Sequence, residues 1–130
     1  MFRAYGKLAF CIDATDPEEA CRLYRKSLRV VREQGLYNLT GCKIAVTSIY
    51  NNYAWTLWNC LGSEEAIIYY GQALDLLEGY LGDRDVNKDM VISQMKHIGQ
   101  ALAKVYDQTN HANEKDRLIA RLSEEKIEID

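Results

Sequence analysis

IYNNYAWTLWNCLGSEEAIIYYGQALDLL, residues Ile49–Leu77, reads as two amphipathic helices facing each other across a tight turn. In its first half Tyr50, Tyr53, Ala54, Leu57 and Leu61 recur at three- and four-residue steps. In its second, Ala66, Ile67, Tyr70, Ala73, Leu74 and Leu77 do the same, which is the period of a helix with one buried face. Gly62 can take the left-handed conformation that ends a helix, and Ser63 can cap the next one. Glu64 and Glu65 stand where a helix dipole favours negative charge. The small residues Ala54, Ala66 and Ala73 fall where two helices must approach closely. The stretch predicts a helical hairpin.

The order of these residues carries more than a generic hairpin requires. Tyr50, the pair Tyr53-Ala54, Leu57, a turn, then Glu65-Ala66, Tyr70 and Ala73-Leu74 together resemble the tetratricopeptide repeat. In that pattern small residues leave room for the neighbouring hairpin and large ones fill the gaps. Asn51-Asn52, just ahead of the core pair, is similar to the longer-repeat branch typified by kinesin light chains. The resemblance implies an all-α chain of stacked antiparallel hairpins, an α-solenoid with a right-handed superhelix. It also implies that the first helices of the hairpins line a concave wall, which in such stacks commonly binds an extended peptide or a partner's helix.

Worked outward, the same pattern predicts three hairpins and about six helices in a single domain over residues 1–130. Residues 1–35 form the first. Tyr5, Leu8, Ala9 and Ile12 give a short apolar face, and Asp16 with Pro17 signals a second helix that buries Ala20, Leu23, Tyr24, Leu28 and Val31 before Gly35. Ser27 stands where the family usually has Ala. Residues 36–82 form the second hairpin, with its first helix starting near Asn38 or Thr40 and its second ending at Gly82. Residues 88–127 form the third. Met95, Ile98, Leu102, Ala103 and Tyr106 mark one helix, Asn110 replaces Gly at the turn, and Leu118, Ile119 and Leu122 mark the last helix from about Asn113. Ala9, Ala54 and Ala103 recur at steps of 45 and 49 residues, longer than the usual repeat of about 34. The polar tail, residues 123–130, is predicted to fray.

Composition agrees with an ordered helical chain: one Pro, 48% apolar and 27% charged residues. A formal charge of −3 offers no general attraction to nucleic acid or anionic membrane. No apolar run approaches the roughly 20 residues that span a bilayer, and the N-terminus is too polar for a secretory signal. Cys11, Cys21, Cys42 and Cys60 show no CxxC and no His at metal-ligand spacing, so buried reduced thiols in a cytoplasmic protein are expected. No phosphate loop, nucleophile elbow or zinc-protease motif is present, and His97 and His111 stand apart from any Cys. Neither catalysis nor a metal or other cofactor is expected.

The face turned away from the core is more informative. Ser48, Asn52, Trp55 and Asn59 fall on one line of the central helix, with Asn51 alongside. A Trp among amide side chains is an unusual solvated face. Asn can meet a partner's backbone in both directions, and Trp offers rigid apolar area. The equivalent line is Arg3, Lys7 and Phe10 in the first hairpin and Ser93, His97, Gln100, Lys104 and Asp107 in the third. Lys7, Phe10, Ser48, Asn51, Asn52, Trp55, Asn59, His97, Gln100 and Lys104 are therefore the candidate binding residues. Phe10 and Trp55 should be neighbours, with Lys7 on one side, Lys104 on the other, and an acidic protein or peptide segment as partner. The plain alternative is that Phe10 and Trp55 pack on a neighbouring helix or a second copy. Trp58 is assigned to the core edge.

A basic clamp for C-terminal carboxylates, known in part of the family, is not expected, because Phe10 and Ala101 occupy two of its positions. Arg22, Arg25, Lys26, Arg29 and Arg32 form a basic stripe that reads as a solvated outer face. RNA binding is disfavoured because stacking aromatics are expected on the other side of the molecule. The expected function is protein–protein recognition. A peptide-sensing regulator and a self-associating chain are the alternatives.

Overall fold

Helix ends are set by side-chain caps and by residues in the left-handed region. Asp16 accepts a hydrogen bond from the Glu19 N–H (3.2 Å) with Pro17 in the first turn, and Asn87 accepts one from Met90 (3.2 Å). Gly35 (φ 63°), Gly62 (62°), Asn110 (61°) and Lys126 (59°) turn the chain away after four of the helices. Beyond three of these turns a backbone N–H reaches back into the helix: Ser63 to Leu57 O (2.8 Å), His111 to Tyr106 O (2.9 Å) and Ile127 to Leu122 O (2.9 Å). The computed structural model describes residues 1–129. It contains α1 (Phe2–Ile12), α2 (Pro17–Gln34), α3 (Lys43–Asn59), α4 (Ala66–Tyr80), α5 (Lys88–Gln108) and α6 (Ala112–Glu124), with a short 3-10 turn at Leu36–Asn38. Among the described residues there is no strand.

Three antiparallel hairpins result: α1 on α2, α3 on α4, and α5 on α6. Packing of α2 on α3 and of α4 on α5 joins them, and α1 and α5 each touch α3 as well. On the opposite side Arg121 of α6 reaches back to Asp75 and Glu78 of α4, at 2.7 Å each. Helices α1, α3 and α5 therefore run along one side of the molecule, and α2, α4 and α6 along the other.

Between the two rows lies a core built from small and large residues in alternation. Ala9, Ala20, Ala54, Ala66, Ala73 and Ala103 are buried, and Tyr24, Tyr53, Tyr70, Leu74, Leu77, Met95 and Leu122 fill the spaces they leave. Every apolar position expected to be buried in α2 is buried. Ser27 is buried too, and its hydroxyl donates to the Phe2 carbonyl (2.7 Å), fastening the start of α1 to α2. The expected role of close approach extends to glycine. A Cβ built on Gly6 would overlap the Cδ1 methyl of Ile49, and one on Gly99 would meet Leu122 Cδ1.

Several local expectations are corrected. Helix α3 starts at Lys43, not near Asn38 or Thr40, because Gly41 (φ 88°) holds the preceding backbone out of helical conformation. Ser63 accepts from the Glu65 N–H (3.3 Å), but α4 proper begins at Ala66, so Glu64 and Glu65 sit in the turn before it. Helix α4 ends at Tyr80, and the chain passes Gly82 without a left-handed residue. Leu8 is 51% exposed, because α1 buries Phe2, Gly6 and Ala9 instead, and Leu61 is exposed because α3 has ended. Tyr5, Ile12, Tyr50, Ile67, Tyr106 and Ile119 sit half-buried at the core's margin. Over its described length the tail folds back onto the stack. Lys126 turns the chain back, Ile127 is buried, and Ile129 packs beside Gly99. Asp130, its last residue, lies outside the described residues.

One buried cation ties α3 to the loop ahead of α5. Lys43 Nζ contacts Asp83 Oδ2 (2.6 Å) and Asp85 Oδ1 (3.0 Å) over the Tyr80 ring (5.4 Å). Hydrogen bonds from Lys43, then Thr40, hold the Asp85 carboxyl below its ordinary range. A carboxyl depressed on folding contributes stability above its unfolded pKa, and that contribution is lost as pH falls through the folded value. The parent's urea midpoint should thus drop more steeply than that of Lys43→Met below about pH 4; parallel curves would count against the contact. The Gly6–Ile49 fit gives a second test. Ile49→Val removes the methyl that a Gly6→Ala side chain would strike. Gly6→Ala should therefore be more favourable in the Ile49→Val background than in the parent. Urea titration of the four proteins should give a coupling of about 0.5–3 kcal/mol; additive effects would contradict the packing.

Candidate binding groove

The buried stripes of α1, α3 and α5 face α2, α4 and α6, which fixes what their opposite faces show. Helix α1 presents Lys7 and Phe10, α3 presents Ser48, Asn51, Asn52, Trp55 and Asn59, and α5 presents His97, Gln100 and Lys104. Phe10 is 60% exposed and Trp55 45%, high values for large apolar side chains on ordered helices. Neither ring is taken up by the fold.

These faces meet in a run of adjoining concavities. Between α1 and α3 a cavity of about 490 Å³ is lined by Arg3, Lys7, Phe10, Ser48 and Asn52, among others. Two central ones, of about 490 and 310 Å³, share Phe10, Asn51, Asn52 and His97; Ser48 lines the first, and Asp13 and Trp55 the second. Between α3 and α5 a cavity of about 460 Å³ is lined by Asn51, Trp55, Asn59, His97, Gln100 and Lys104, with Trp58 and Tyr70 behind them. Shared residues make the series continuous. All the candidate residues named from the sequence line it, Phe10 and Trp55 meet in one concavity, and Lys7 and Lys104 lie toward opposite ends.

Hydrogen bonding within the wall decides which groups are free. Asn59 Nδ2 donates to the Trp55 carbonyl (3.1 Å), so its amide is half used and offers chiefly its oxygen. Thr56 returns its hydroxyl to Asn52 O (3.0 Å) and stays within α3. Arg3 donates to the Gly41 carbonyl (2.6 Å), which holds it at the groove's rim. The formal charges along the lining are those of Arg3, Lys7 and Lys104 against the single carboxylate of Asp13. Although the whole chain is acidic, this surface carries a positive excess.

Trp58, Tyr70 and Gln108 were missed as groove residues. Trp58 is half-buried, as its place at the core edge requires. Its indole N–H donates to Gln108 Oε1 on α5 (3.1 Å), and its ring forms part of the cavity. Tyr70 reads as core by its spacing, and it is core, yet it also forms the cavity's floor. The basic stripe lies on α2, exposed as expected, and three of its five cations have partners. Arg22 pairs with Glu19, Arg25 donates to Tyr53 OH (3.3 Å), and Lys26 lies over the Tyr5 ring (5.4 Å). The cysteines are free thiols, but only Cys21 is buried; Cys42 and Cys60 are half-buried, and Cys11 is exposed at the groove's edge. Among the described residues no three His, Cys, Asp or Glu side chains converge as metal ligands, and no helix is long and apolar enough to cross a membrane. Comparison with known protein families, with characterised proteins and with solved structures finds no match for this chain.

Proposed function

We propose that this chain is a non-catalytic protein-recognition module of the tetratricopeptide type, which binds an extended segment of a partner along the exposed faces of α1, α3 and α5. The observation that carries this reading is the meeting of two exposed rings, Phe10 and Trp55, with a row of amide side chains in one continuous concave surface. Apolar partner side chains would cover the rings, and Asn52, Asn59 and Gln100 would meet its backbone. The positive excess supports an acidic partner segment, with Lys7 and Lys104 as the contacts. Free thiols fit a reducing compartment such as the cytoplasm. Self-association is the second reading. It is favoured by Leu8, which with Met1 leaves an apolar edge of α1 without a neighbour.

Burial of a large ring outweighs one interfacial hydrogen bond, which contributes about 1 kcal/mol net. Peptides selected from a random display library on the parent chain should lose about 30-fold in affinity with Trp55→Ala, as for a 2 kcal/mol anchor. They should lose about 5-fold with Asn59→Ala. Isothermal titration gives both values, and undiminished binding by the two variants would remove the groove from the account. Light scattering addresses the second reading: a stable dimer dispersed by Leu8→Lys would favour self-association.

A further inference from the structure

The cavity between α3 and α5 has a chemistry of its own within the groove. Its charged lining is Lys104, with the imidazole of His97 nearby, and no Asp or Glu takes part. Such a site repels cations and has donors to offer an anion. Two indoles, Trp55 and Trp58, supply flat apolar surface against which a ring can stack.

The floor adds an independent observation. Tyr70 is 1% exposed and lines the cavity. Its O–H is not one of the sealed, unpartnered hydroxyls of the core, where Tyr24 stands, and can donate to an acceptor held in the cavity. Burial pushes its pKa up to about 12, which keeps the proton on at neutral pH. Gln108 spends its oxygen on the Trp58 indole (3.1 Å), which leaves its amide N–H groups as further donors. At about 460 Å³ the cavity lies within the 300–1,000 Å³ usual for ligand pockets and is too large for a lone carboxylate side chain.

Resting on the reading of this groove as a recognition surface, we propose that the α3–α5 cavity is a socket for an aromatic ring bearing an oxyanion. The ring stacks on the indoles, and the carboxylate or phosphate accepts from Lys104, Tyr70 and Gln108. The ring could belong to a free aryl acid or to a phosphorylated tyrosine of a partner, which share this chemistry.

The test uses the full chain labelled with nitrogen-15, with the Trp55 and Trp58 indole signals followed by NMR. Phenyl phosphate and phenylacetate should shift both signals and saturate in the millimolar range, whereas benzyl alcohol and benzylammonium should not. Lys104→Gln should weaken phenyl phosphate at least 5-fold. Tyr70→Phe should weaken it about 3-fold while keeping the parent's backbone spectrum, which separates loss of the donor from loss of the fold. A phosphotyrosyl hexapeptide binding tenfold tighter than phenyl phosphate would assign the ring to a partner protein; equal affinities would assign it to a free aryl acid. Equal shifts with the neutral and cationic probes, or parent-like binding by both variants, would overturn the socket. Peptides that need Trp55 but are not displaced by phenyl phosphate would reject the socket and leave the groove. Aryl-anion binding without any Trp55-dependent peptide would reject the groove instead.

Discussion

Close approach of helices at positions with almost no side chain governs this structure. Ala9 on α1, Ala20 on α2, Ala54 on α3, Ala66 and Ala73 on α4, and Ala103 on α5 are all buried, and Gly6 and Gly99 admit Ile49 and Leu122 where a methyl group would collide. Large rings then occupy the remaining volume. Tyr24 and Tyr53 lie 5.8 Å apart by ring centre, and Tyr53 lies 4.4 Å from Tyr69, so the first two hairpins interlock through aromatic contacts. Removal of such contacts leaves voids that a packed interior closes only in part.

The groove follows from that arrangement. Because the core is satisfied between the two rows of helices, the outward faces of α1, α3 and α5 carry no packing obligation. Exposed rings carry a cost, since each adds an apolar surface on which chains can associate. Phe10 and Trp55 stand there among amides and lysines, and on the proposed function a partner covers them. The ionic contacts of the other row work differently. Arg121 with Asp75 and Glu78 ties α6 to α4 on the side away from the groove, and Arg22 with Glu19 pairs within one turn of α2.

Helix existence, pairing and the groove face were legible because each rests on local spacing. Asp16-Pro17, Gly35, Gly62 and Asn110 mark helix ends by chemistry confined to a few residues, and the faces follow from the period of the helix. What was not legible depends on long-range or backbone facts. Nothing in the sequence places Lys126 in the left-handed region, so Ile127 looked like part of a polar tail. The start of α3 was blurred because no side chain caps it. Trp58 finds Gln108 fifty residues away, a pairing that single-sequence spacing does not reveal. Tyr70 was hidden because one residue can close the core and still offer its hydroxyl to a cavity.

The placement of α1, α3 and α5 side by side can be measured directly, since Cys11 is exposed at the edge of the groove. With Cys21 replaced by Ala and Cys42 and Cys60 by Ser, a nitroxide at Cys11 reports on its neighbours through paramagnetic broadening. Side-by-side packing should give strong broadening of amide signals from Ser48 to Asn52 on α3, weaker broadening at His97 on α5, and sharp signals throughout α6. Sharp signals on α3 with broadening on α6 would contradict it.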